Sequence, residues 1–160
     1  MTRKMLALLF AFAVGAIVGH VTTPSTTPAG TPLMGVAMAQ SHKPVFMTRL
    51  FTGPDNLTHA EEVPMDFPGG VLKLLPITSG ELHLASPGNV IDWHRAPRRQ
   101  YVITLVGHAE LEVAGGKKIN VGPGHVDLVE DVTGKGHITK VTGADDRITL
   151  QLPLADQSGK

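Results

Sequence analysis

The chain has 160 residues, a length suited to one domain, and carries 14 basic and 14 acidic residues, so its charge gives no reason to expect nucleic acid as a partner. It has no cysteine, which excludes disulfides, cysteine-ligated zinc and a cysteine nucleophile. Its 18 glycines and 12 prolines are many for a helical protein and ordinary for short strands joined by turns.

Arg3 and Lys4 precede an apolar run from Met5 to Gly19. That run reaches the upper end of a secretory apolar region and falls short of the roughly 17–25 residues that span a bilayer. Ala37-Met38-Ala39 has the small residues of a cleavage box. Between the two lies Thr22 to Pro32, rich in Thr and Pro and without apolar period. Residues 1–39 therefore read as a signal peptide or membrane anchor with a Thr/Pro-rich linker. Cleavage near Gln40 and retention as an uncleaved anchor both predict an exported domain, periplasmic or held on the outer face of the inner membrane. The membrane would be touched only through an uncleaved N-terminal segment.

From Val45 the pattern changes to short apolar runs between turns. Val45 to Phe51 and Val71 to Leu75 read as strands, and Thr58 to Val63 as one helical turn or an edge strand. Asn56-Leu57-Thr58 matches a glycosylation sequon, too short a motif to carry weight. Thr78 to Ala85 alternates weakly, with Leu82 and Leu84 on one face and Glu81 and His83 on the other. His108 to Val113 swaps polar and apolar side chains at every step, as a half-buried strand requires. Gly115-Gly116 predicts a tight hairpin turn, and Gly122-Pro123-Gly124 another. Ile119 to Val121, Val126 to Val129, His137 to Val141 and Arg147 to Leu152 complete roughly ten strands. That series predicts an all-β sandwich or barrel over residues 45–154, with 155–160 as a flexible tail.

The chemistry concentrates in Gly88 to Gly107 and in Gly134 to His137. The first stretch holds the one Trp and the one Tyr, Trp93 and Tyr101. Residues two apart in a strand share a face. His94 and Ala96 thus share one face, Gln100, Val102 and Thr104 another, and His137, Thr139 and Val141 a third. Two imidazoles facing each other in a sheltered cavity begin a site for iron, manganese, zinc, copper or nickel. A catalytic metal site commonly uses three protein ligands and an open position. Gln100 would be a third, weak ligand through its carbonyl oxygen. Arg98, Tyr101 and Thr139 are the candidates for contacting an organic ligand, Arg98 by holding a carboxylate or phosphate. The plainer readings are hydrogen-bonded core histidines, a packing role for Trp93 and Tyr101, and surface arginines paired with Asp92 or Glu130-Asp131. His83 is the best spare ligand if its strand lines the lumen. Ser79 and Ser86 lack the strand–turn–helix context of a nucleophile elbow, so a nucleophilic triad is rejected.

The two stretches resemble the paired motifs of the cupin superfamily. The first family motif is Gly, five residues, His-x-His, three or four residues, Glu, six residues, Gly. This chain has Gly88, His94, Ala96 for the second His, Gln100 for Glu, and Gly107. The second motif ends in Gly-x-x-His, three residues, Asn, and here Gly134, His137 and Val141 stand at those places. Pro123-Gly124 resembles the turn ahead of that motif. The resemblance covers roughly Leu82 to Leu154, and Asp92 to Gln100 looks like a subgroup of small single-domain, conserved-barrel cupins with a degenerate metal motif. It implies a cupin-type jelly-roll barrel, often dimeric, so a homodimer is one expectation. It also implies a metal set of three His and one Glu, of which this chain keeps two His.

Two functions stand open on these residues. One is a metal-assisted oxidoreductase or isomerase acting on a small, oxygenated or anionic molecule. The other is a non-catalytic small-molecule-binding cupin of the cell envelope without metal.

Overall fold

The computed structural model describes residues 43–158. The basic start, apolar run, linker and cleavage box of 1–39 lie outside the described residues.

Ten strands follow in chain order: β1 (Val45–Thr52), β2 (Thr58–Met65), β3 (Glu81–Ala85), β4 (Val90–His94), β5 (Gln100–Val106), β6 (His108–Glu112), β7 (Lys118–Val121), β8 (Val126–Glu130), β9 (His137–Thr142) and β10 (Arg147–Pro153). They form a six-stranded sheet, ordered β2-β1-β8-β5-β10-β3, and a four-stranded sheet, ordered β4-β9-β6-β7. The last eight strands alone give β8-β5-β10-β3 facing β4-β9-β6-β7, which is the strand order of an eight-stranded jelly roll. The all-β jelly-roll expectation holds. β1 extends the large sheet by pairing in parallel with β8, and β2 closes that edge as an antiparallel strand.

Strand alternation decides what fills the barrel. On β5, Val102 points into an apolar cluster with Leu50, Ala96, Ala109, Leu111, Val113, Val121 and Val129. Tyr101 points the other way, into a second cluster with Leu128, Leu152 and Leu154. Each fully buried aliphatic side chain, such as Leu50, contributes about 2 kcal/mol of apolar burial.

Val71 to Leu75 departs from expectation and forms no strand. Gly69 and Gly70 precede it with positive φ, and Pro76 follows without an N–H to give a ladder. The segment instead crosses the outer face of the large sheet. Leu75 N–H donates to the Tyr101 hydroxyl at 3.3 Å, and Ile77 bridges Leu154. Thr58 to Val63 resolves as edge strand β2. Gly115-Gly116 lies in a 3-10 turn, Ala114–Gly116, because both glycines take positive φ and Val113 N–H closes on Lys117 O at 3.0 Å. Residues 156–158 are tied back: Arg99 Nη1 donates to Asp156 O and Ser158 O, and Gln157 Nε2 donates to Arg99 O and Leu154 O.

Candidate functional site

His94 and His137 end up opposite each other because β4 contains a bulge. Ile91 pairs with Thr139, and His94 pairs with His137, so three steps on β4 match two on β9. An extra residue of this kind shifts side-chain parity. Ile91 and His94 would otherwise face opposite sides, yet both line one cavity. Asp92 shapes the bulge, its Oδ1 accepting Trp93 N–H at 2.8 Å and its carbonyl accepting from His94 Nδ1 at 2.9 Å. The two imidazoles then stand with ring centroids 4.4 Å apart, tilted by 55°.

Gly136 permits the approach. It has φ +80°, and a Cβ there would lie 2.0 Å from His94 O. No side chain fits in that gap.

The two rings are oriented by different acceptors. His137 Nδ1 donates to Asp131 Oδ2 at 2.7 Å, and Thr58 Oγ1 donates to the same oxygen at 3.0 Å. Asp131 is fully buried, and its Oδ1 has no hydrogen-bond partner. A carbonyl and a carboxylate oxygen accept only, so both Nδ1 atoms carry the proton. On a neutral ring the Nε2 lone pair is then left available, and no side chain among the described residues hydrogen-bonds to Nε2 of either histidine. Burial, joined by the neighbouring His137, holds the His94 pKa below its ordinary value and favours the neutral, ligating form.

The cavity has a volume of about 280 Å³. Of the residues singled out in the sequence, His94, Gln100, His137 and Thr139 line it together, as does the spare His83. Ala96, standing where the family motif has its second histidine, is a buried cavity wall. Gln100 Oε1 accepts from Arg98 Nε at 3.1 Å, so its carbonyl already has a partner. His83 Nε2 contacts Glu81 Oε2 at 3.1 Å.

Two singled-out residues are not brought there. Tyr101 is buried in the cluster outside the barrel, on the opposite face of β5 from Gln100. Arg98 lines a neighbouring cleft and forms an ion pair with Glu81 at 2.5 Å. The adjacent arginine takes the plainer role expected of one of the pair: buried Arg99 bonds Glu130, which Arg49 also reaches at 2.6 Å.

Sequence reasoning did not assign site roles to Asp131, Thr58, Asp127, Arg147 and Gln151. Parity carried a signal for some of them. Asp127 shares a face with Val129 on β8, with Asp131 two residues on, just past the strand's end, and Arg147 and Gln151 share a face with Thr149 on β10.

No family model matches the sequence, and no curated protein matches it. Among solved structures, the chain is similar to a cupin 2 conserved barrel domain protein from Salinispora arenicola, at 19% identity and TM-score 0.39, covering 47% of this chain and 60% of that one. It is similar to an RmlC-like cupin protein from Desulfovibrio desulfuricans, at 12% identity and TM-score 0.36, covering 73% and 92%. A conserved protein of unknown function from Streptococcus pyogenes gives 15% identity and TM-score 0.38, covering 53% and 71%. The chain thus spans less than two thirds of the Salinispora structure.

Proposed function

We propose that this cupin-type barrel is an exported protein that holds one divalent transition metal (Fe, Mn, Zn, Cu or Ni) on Nε2 of His94 and His137 and takes a small anionic organic molecule into the same lumen. The carrying observation is the pair of imidazoles 4.4 Å apart, each with Nδ1 occupied and Nε2 free. A histidine ligand backed by a carboxylate on its far nitrogen is the usual arrangement around bound metals, and Asp131 backs His137 in that way.

The donor set fits a two-imidazole site. Among the described residues, no cluster of three or more His, Cys, Asp or Glu side chains forms a metal-ligand set. The remaining positions therefore fall to water and the incoming molecule, with Gln100 as a weak donor once Arg98 releases it. A metal there would supply a Lewis acid toward a carbonyl or carboxylate oxygen, or a seat for dioxygen. The chain's own residues do the rest. Asp131 and the Asp92 carbonyl hold the two rings in one tautomer, and Leu50, Val102, Leu111 and Val129 supply apolar walls that exclude water.

Cobalt(II) titration of chelator-treated protein tests this reading. One equivalent should produce visible d–d absorption, absent in His94→Ala and in His137→Ala. No spectral change in the wild-type protein would sink it. The metal-free binding reading draws on the Gln100–Arg98 bond and on the ligand set of two, and it predicts ligand-induced thermal shifts indifferent to added metal.

A further inference from the structure

We propose that Arg147 makes the lumen a receptor for a small monocarboxylate, an inference that rests on the lumen being a binding site but not on its holding metal. Arg147 opens β10 on the face that also carries Thr149 and Gln151, and it lines the cavity shared by His94 and His137. It is 8% exposed.

Its partners are few. Nη2 donates to Thr104 Oγ1 at 2.9 Å, its one hydrogen bond among the described residues, and Nε has no partner. Thr104 is neutral, and no carboxylate among the described residues forms an ion pair with Arg147. Asp127, the buried acid that lines the same cavity, is engaged by His125 Nε2 at 3.1 Å. A guanidinium presents five donors in a planar fork, and here Thr104 is the one side chain among the described residues that accepts from it, while Nε is buried without a partner. Burying such a group is costly, and burial holds its pKa below the ordinary value even against the opposing charge of Asp127.

A carboxylate would satisfy the fork with two parallel charge-assisted hydrogen bonds. Asp127 selects the charge: a dianion such as phosphate meets its repulsion, and a singly charged carboxylate meets less. A cavity of about 280 Å³ with aliphatic walls limits the ligand to a small organic acid. Arg147 thereby takes the anchoring role that the sequence suggested for Arg98.

The test uses the full chain stripped of metal with chelator, so that failure of the metal reading leaves this result intact. The probes are acetate, L-lactate and benzoate, each matched with its neutral amide, and inorganic phosphate. Binding is followed through the Arg147 Nε–H resonance in proton–nitrogen NMR spectra. At least one carboxylate should bind saturably, about tenfold or more tighter than its amide, and tighter than phosphate. Arg147→Gln should abolish that preference, and Arg147→Lys should keep much of it. The wild-type comparison of acid with amide decides the matter even if Arg147→Gln does not fold. Equal binding of acid and amide, tighter binding of phosphate, an unchanged preference in Arg147→Gln, or no saturable response to any of the three acids would each overturn the proposal.

Discussion

His94 and His137 face each other across β4 and β9 with ring centroids 4.4 Å apart, because one extra residue in β4 turns His94 inward. The bulge, the glycine opposite it and the acceptors on each Nδ1 form one device. The glycine and the carboxylate behind His137 each make a separate prediction.

Gly136→Ala tests the close approach. The added Cβ would sit 2.0 Å from His94 O, at a residue with φ +80°. Positive φ alone costs a non-glycine residue about 1–2 kcal/mol, and the backbone clash adds to it. Urea denaturation should show a loss of at least about 2 kcal/mol. Metal affinity should fall as well, because β4 must move away from β9. A variant as stable as wild type would contradict the geometry.

Asp131→Asn tests the orientation of His137. The amide keeps the shape of the carboxylate and removes its charge. Zinc affinity, measured by competition with a chromophoric chelator, should fall about 10- to 100-fold, the usual effect of losing a carboxylate behind a ligating histidine. Unaltered affinity would mean that Asp131 serves only the packing around Thr58.

The buried ion cluster at the other face of β8 makes a stability prediction. Glu130 takes Arg49 and Arg99 together, and Arg99 and Glu130 are both about nine-tenths buried at their side chains. Burial pushes the Glu130 carboxyl up, but the two arginines overcome it and hold its pKa below the ordinary range. Glu130→Gln leaves two arginines facing a neutral group, and removing one partner of a buried pair costs about 3 kcal/mol. Arg99 also holds residues 156–158, so their backbone amides should exchange faster in the variant.

His125 sets a pH dependence. Its Nε2 contacts Asp127 Oδ1 and Thr48 Oγ1, with Arg147 and Glu62 as the more distant charges. The hydrogen bond to Asp127 raises its pKa above 6.5, against the effect of burial. A raised folded-state pKa contributes stability that is fully present below the unfolded value and is lost as pH rises through the folded value. Thermal unfolding should therefore show a contribution from His125 that is full below pH 6.5 and fades as pH rises above it. His125→Gln should flatten that part of the profile, and an unchanged slope would remove His125 as its source.

Much of the fold was legible from period and punctuation. His108 to Val113 alternates cleanly and supplies β6 up to Glu112, and the glycine and proline turns fall between strands. Val71 to Leu75 misled because its composition suits a strand while its flanks, two glycines and a proline, deny it a ladder. It found a use as cover for Tyr101. The site was half legible. His94, Gln100, Thr139 and His137 were readable from spacing and parity, and all line the cavity. Arg98 and Tyr101 were not separable from site residues by sequence. Arg98 has a carboxylate within reach that lies 17 residues away in the chain, and Tyr101 differs from Gln100 only in strand parity. Asp131 and Arg147 were missed because their value lies in long-range partners, Thr58 for one and Thr104 for the other. The β4 bulge is equally invisible to a parity argument, since it breaks the parity that the argument assumes.

The most direct test of the account is the metal content of the full chain, purified without chelator and measured by elemental analysis beside His94→Ala and His137→Ala. The account predicts close to one transition-metal ion per wild-type chain and loss of that ion in both variants. A metal-free wild-type protein that cannot be reloaded with Fe, Mn, Zn, Cu or Ni would contradict it.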